Sequence, residues 1–178
     1  FVEDTICLQA AETPALFAAS ARAFGRFQQM LKAYPAETLH ETIPRFHDTP
    51  NRLALFRAAV EADPLGRAAG VRREIDFVLA RAQDCSVAAE ALREGKLPLR
   101  VTHNDTKLNN VLIDRKSGEG VCVIDLDTVM PGLAIHDFGD SIRFGANHSA
   151  EDERDLSKVN FDLSLFAVYT EGFLAGAG

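Results

Sequence analysis

Apolar residues along this chain follow a helical rhythm first, a strand rhythm later, and a helical one again. Phe17, Phe24, Phe27, Leu31 and Tyr34 recur at three, four or seven, the spacing that lines one face of an α-helix. Thr13-Pro14 ahead of them reads as an N-cap with proline at the first helical position, and Pro35 is expected to end the helix. The phenylalanines are its core face. Gly25 predicts a close approach by another element. The stretch ETLHETIPRFHDTP, with two prolines, reads as a loop. Further helices are expected over 51–62, from 65 or 66 to 82, and over 86–94, the last stopped by Gly95. In the second of these Val71, Ile75, Val78, Leu79 and Ala82 share a face.

After Pro98 the period shortens. LRVTHND, NNVLID and GVCVIDLD are short β-branched runs, and RKSGEG between the last two is a hairpin turn. The opening FVEDTICLQA reads as a strand end and connector. MPGLAIHDFGDSIRFGAN reads as loop and then helix, EDERDL as an acidic solvated stretch, and FDLSLFAVYTEGFL as a last helix. Helices, a small hairpin sheet, then helices give an α+β fold, a mostly helical lobe with a small antiparallel sheet.

With 178 residues, 47% hydrophobic and 25% charged, the chain is one globular domain or part of a larger one. A formal charge of −7 argues against a nucleic-acid or membrane-surface role and favours small polar ligands with metal ions. Cys7, Cys85 and Cys122 are odd in number and lack metal-ligand spacing, which predicts buried thiols in a reducing compartment, hence the cytoplasm. No stretch approaches a membrane span or a secretory leader.

The chemistry concentrates in two stretches. VIDLDTVMPG ends an apolar run with Asp125 and Asp127. THNDTKLNN carries His103, Asp105, Lys107 and Asn110, with Asp125 following Asp105 by 20 residues (125 − 105). Phosphoryl transfer to a hydroxyl needs an acceptor for the hydroxyl proton, cations at the phosphates and ligands for those cations. Asp105 orients the hydroxyl and takes its proton, Lys107 neutralises the moving phosphoryl group, and Asn110 and Asp125 bring a neutral and an anionic oxygen to a metal. The Asp-x-Asp pair also suits a phosphohydrolase with an aspartyl nucleophile. That enzyme needs the motif on the first strand of a doubly wound sheet, and the 51 residues after Asp127 (178 − 127) read as helix. Asp127 is therefore either a further metal-side carboxylate or a cap on the Thr128 turn. His103 is expected to pack and hydrogen-bond. Arg143 and His148 could reach a substrate, although a lone arginine on an amphipathic helix is more often solvated or salt-bridged.

From Val101 to Asn147 the sequence resembles the catalytic core of protein-kinase-like small-molecule kinases, the aminoglycoside phosphotransferase and choline kinase superfamily. THNDTKLNNVLID, CVIDLDTVMPG and DFGDSIRFG resemble the N-acetylhexosamine 1-kinase group, as do ARAFGRFQ and PAETLHETI. The resemblance implies an ATP- and magnesium-dependent kinase acting on the anomeric hydroxyl of an N-acetylhexosamine, with Asp105 as base. On the same resemblance Lys107, Asn110 and Asp125 are expected to serve the nucleotide and Asn110 and Asp125 to hold the metal, with Asp127 a candidate further metal carboxylate. Lys107 stands where antibiotic kinases often carry histidine, which disfavours an aminoglycoside acceptor; the alternative is an aminoglycoside or choline-type small-molecule kinase. Asp137-Phe138-Gly139 spells the protein-kinase metal motif, yet it follows a Pro-Gly loop, so Asp125 is expected to hold the metal and Asp137 to brace the catalytic loop from a helix start. The expected partners are a sugar and a nucleotide, with no nucleic acid and no membrane.

No glycine-rich loop between strands and no Val-Ala-x-Lys strand precedes the helices. With Phe1 at the start, residues 1–178 are expected to be the C-terminal, catalytic-loop lobe, without the N-terminal nucleotide lobe and inactive alone. A non-catalytic single-lobe binding module is the rival, and intact Asp105, Asn110 and Asp125 argue against it.

Overall fold

A computed structural model describes residues 2–178. Helix α1 (Pro14–Met30) begins as its sequence dictates: the Thr13 hydroxyl accepts from the Leu16 N–H at 3.3 Å, with proline at the first position. It ends four residues earlier than the apolar spacing predicts. Pro35 has no N–H with which to complete an α-turn, and the chain winds down through a tighter turn in which Tyr34 N–H donates to the Leu31 carbonyl. Tyr34 is thereby left exposed.

The chain divides into two compact units, one formed by the chain up to Thr42 together with Arg100–Gly178, the other by Ile43–Leu99. The first holds two antiparallel sheets. Strands β1 (Thr5–Ile6), β3 (Val111–Asp114) and β4 (Gly120–Val123) form one, in the order β1-β3-β4. Val111 pairs with Val123 and Leu112 with Cys122, and a bulge follows Leu112. The tight turn closing this hairpin is held by the Asp114 carboxylate, which accepts from Ser117 N–H at 2.7 Å and Lys116 N–H at 3.1 Å. The second sheet pairs β2 (Arg100–Thr102) with β5 (Met130–Gly132). Met130–Gly132 was expected to be loop; Pro131 disguised it, since proline has no ladder donor and survives in strands only at an edge such as this one.

Helices α5 (Ala134–Gly145) and α6 (Leu163–Ala177) complete the unit. The core lies between α1, α6 and β3. Phe17, Phe24, Val111, Ile113 and Tyr169 are all at most 1% exposed, and each large apolar side chain so buried contributes roughly 1.5–3 kcal/mol. The backbones of α1 and α6 nearly touch. A Cβ at Gly25 would run into the Phe173 carbonyl and the Ala177 nitrogen, and one at Gly172 into the Ala18 carbonyl. Gly25 is the contact point its place in the helix predicts.

In the second unit, α2 (Thr49–Ala62) is capped by Asp48, whose carboxylate accepts from Asn51 N–H at 2.9 Å. Two shorter helices follow, α3 (Arg72–Leu79) and α4 (Val87–Arg93), each entered through a short 3-10 turn. The expected long helix from 65 to 82 is thus shortened by Gly66, with φ of +64°, and by the 3-10 turn at Ala68–Val71. Of its apolar face only Ile75 is buried. The cysteines also depart from expectation. All three are free, but Cys7 is exposed and the other two half-buried. Among the described residues no helix is long and apolar enough to cross a membrane.

Candidate active site

Strand β2 delivers the chain into a loop, residues 103–107, that runs through a 3-10 turn (Leu108–Asn110) into β3. Strand β4 returns alongside and releases Asp125 into a second 3-10 turn, Leu126–Thr128, before β5. One hairpin therefore joins the two sequence motifs. Ile124 N–H donates to the Asn110 carbonyl at 2.9 Å, so the residue before Asp125 is tied to Asn110 itself.

Asp105 is partly exposed, and its oxygens have separate partners. Asn110 Nδ2 donates to Oδ2 at 3.0 Å and to the Asp105 carbonyl at 2.8 Å, while Lys107 Nζ lies 3.4 Å from Oδ1. Two acceptors on Nδ2 fix the orientation of the Asn110 amide and leave its Oδ1 for another partner. Asp125 is exposed and adopts the left-handed backbone region, at φ 62° and ψ 62°, as does Asn104 at φ 67°. Aspartate and asparagine tolerate that region better than other L-residues. Asp127 is exposed on the same turn as Asp125. The Thr128 hydroxyl there donates to the His103 carbonyl at 2.7 Å. Among the described residues no three His, Cys, Asp or Glu side chains form a metal cluster, so any cation here depends on a mixed amide and carboxylate set.

His103 is fully buried, with its ring edge-on to Phe24 and Phe27. Its Nε2 meets the Ile124 carbonyl at 2.9 Å and its Nδ1 accepts from Asp105 N–H at 3.3 Å. This is the structural role expected of it. Asp137 sits in the first turn of α5 at 1% exposure. Its Oδ1 accepts from Asn104 N–H at 2.8 Å, and its Oδ2 from His103 N–H at 3.0 Å and Gln28 Nε2 at 2.7 Å. Burial pushes this carboxyl above the ordinary aspartate range, against the pull of the three donors. Both oxygens are spent inside the protein, and Asp137 braces the loop. Arg143 is salt-bridged to Asp140 at 2.9 Å and to Glu151 at 2.8 Å. Burial works against its charge, but the two carboxylates outweigh it and raise the guanidinium above its ordinary range.

Several supporting residues escaped the sequence reading. Gln28 also donates to the Val101 carbonyl, at 3.1 Å; a glutamine one position after Phe27 on a buried face was its only signal. Asn104 donates to the carbonyls of Thr128 and Thr102, at 2.8 and 3.3 Å. Tyr169 donates to Ser141 Oγ at 2.6 Å, and Ser141 donates in turn to the Thr106 carbonyl at 2.8 Å. Burial raises the Tyr169 phenol well above its ordinary range, so it stays a donor.

A helical lobe that holds Asp105, Lys107 and Asn110 in one loop, next to an exposed aspartate at a hairpin end, has the architecture of protein-kinase-like phosphotransferases. A family model described as the phosphotransferase enzyme family matches residues 1–167. The chain belongs to that family, within the aminoglycoside phosphotransferase and protein-kinase-like superfamily.

Proposed function

We propose that this phosphotransferase moves the γ-phosphoryl group of ATP to a sugar hydroxyl, with Asp105 as base. The observation that carries the reading is the Asp105 carboxylate, part-exposed between Lys107 Nζ and Asn110 Nδ2. Asp105 orients the acceptor hydroxyl. As the acceptor oxygen forms its bond to the γ-phosphorus, the bond from that phosphorus to the bridging oxygen breaks, and the electron pair leaves with ADP. The hydroxyl proton passes to Asp105. Lys107 offsets the charge of the group in flight.

Asn110 Oδ1 and the Asp125 carboxylate fit a magnesium ion, which takes one or two protein oxygens and completes its shell with phosphate and water. Bound there, the cation would neutralise charge on the nucleotide phosphates. Asp127, one turn on, is assigned to the same acidic edge as a further carboxylate. The acceptor is proposed to be an N-acetylhexosamine at its anomeric hydroxyl, supported by the THNDTKLNN, CVIDLDTVMPG and DFGDSIRFG resemblance.

Asp105→Asn tests the base, since it keeps shape and removes the charge that takes the proton. In the full-length protein turnover should fall by about 10²–10⁴-fold with sugar affinity little changed. Turnover within threefold of the unmodified protein (about 0.6 kcal/mol) would remove Asp105 from that role. A screen of N-acetylhexosamines, hexoses, choline and aminoglycosides with ATP tests the acceptor. Transfer only to choline or aminoglycosides would discard the sugar and keep the mechanism.

A further inference from the structure

A cleft of about 460 Å³ opens beside Lys107, walled by Ala10, Asn109, Phe144, Ala150 and Glu151 among others. Its charged lining is already spent. Lys107 faces Asp105 at 3.4 Å, Glu151 is held by Arg143 at 2.8 Å, and His148 Nε2 lies 2.8 Å from Asp162. The Asn147 side-chain oxygen accepts from Ser149 Oγ at 2.9 Å and from two backbone N–H groups, those of Ser149 and Asn160. Two carboxamides are left on this wall, those of Gln9 and Asn109, and the Asn109 Oδ1 is shielded from solvent and meets no donor.

A shielded carbonyl without a donor costs roughly 1–3 kcal/mol, and native proteins leave few such groups. The terminal amide torsion of asparagine is soft, and Asn109 lines the cleft, so its amide can turn to meet a donor bound there. Asn109 also lies between Lys107 and Asn110, the two residues that embrace Asp105. A group bonded to Asn109 therefore sits at the edge of the proposed reaction centre.

We propose that this cleft seats the acceptor, and that Asn109 selects it by accepting a hydrogen bond from a hydroxyl or amide N–H of a neutral, polyhydroxylated ring. The inference rests on the phosphotransferase reading above. A polycationic acceptor would need unpaired carboxylates, and Glu151 on this wall already has its arginine. Ala10, Ala150 and Phe144 offer apolar surface for the C–H face of such a ring.

Three variants of the full-length protein test this by calorimetric titration with N-acetylglucosamine and N-acetylgalactosamine and by steady-state kinetics. Asn109→Leu keeps the volume and removes the acceptor. Asn109→Asp keeps an acceptor. Ala150→Phe fills the cleft from an exposed loop and does not depend on how position 109 folds. Asn109→Leu and Ala150→Phe should each weaken sugar binding about tenfold, raising the KM for sugar more than they lower kcat, with the KM for ATP within about twofold. Asn109→Asp should stay within about threefold of the unmodified protein. Unchanged sugar affinity in Ala150→Phe and Asn109→Leu, in a protein that still phosphorylates the sugar, would overturn the seat. Equal losses in the Asp and Leu variants would overturn the acceptor role of the Asn109 oxygen. No transfer to any acceptor by the unmodified protein would instead sink the kinase reading, and this inference with it.

Discussion

Two aspartates 12 residues apart (137 − 125) meet opposite environments, and substitution separates them. Asp125 is exposed in the left-handed region, which asparagine also tolerates. Asp125→Asn should therefore abolish magnesium-dependent nucleotide binding with little change in melting temperature. Asp137→Asn replaces one of the two accepting oxygens by an NH₂ group, which then faces either the Asn104 N–H or the His103 and Gln28 donors inside the core. It should cost about 2–4 kcal/mol and still bind magnesium-nucleotide while folded. Fluorescence titration with a magnesium-nucleotide, run beside thermal melts, checks both, and the opposite pattern would exchange the two roles. The contrast in placement was legible because a strand end leaves a local signature: at Asp125, an acid directly after β-branched residues. The literal Asp-Phe-Gly would have misled without its Pro-Gly approach. Gln28 and Asn104 were not legible, since their roles come from atoms far away in the sequence or from the backbone angle of a single turn.

Helix contacts carry the site, and the closest is that of α1 with α6. Alanine normally improves a helix over glycine by about 1 kcal/mol, but at Gly25 its methyl would strike backbone atoms that cannot rotate away. Gly25→Ala should destabilise by about 1–3 kcal/mol, visible as a lower urea midpoint. A gain in stability would mean the helices lie farther apart. At the start of α6, Asp162 accepts from the N–H groups of Ser164 and Leu165 and bonds His148. The His148 bond, then the two backbone donors, lower its carboxyl below the ordinary aspartate range. The folded value is the lower one, so this contribution is present above the ordinary range and is lost as pH falls through the folded value. Asp162→Ala should lower the melting temperature at neutral pH, and the difference should vanish in strongly acidic buffer. A difference that persists there would assign the effect to packing. Helix positions followed from periodicity, whereas their ends depended on single residues such as Pro35 and Gly66 that a repeating pattern averages over.

At the scale of the molecule, stability is unevenly shared. Between Ile43 and Leu99 only Ile75 is a buried hydrophobic residue, while the other unit buries Phe17, Phe24, Ile113, Tyr169 and others. Hydrogen exchange should therefore find the most protected amides in α1, β3 and α6 and the least protected in α2 to α4. Equal protection throughout would contradict this. The unit with the site is also discontinuous, because the 57 residues of the other (99 − 43 + 1) interrupt it. Helix α1 ends at Met30, and its partner α6 begins at Leu163. On the ribosome Phe17 of α1 must wait for 132 further residues (31–162) before the helix that carries Tyr169, its ring partner, is begun. Synthesis at about 5–20 residues per second makes that wait roughly seven to twenty-six seconds. Over that interval this side of α1 is open to whatever binds exposed apolar helices, and the loop that holds Asp105 acquires its full bracing, through Tyr169 and Ser141, only when α6 is made.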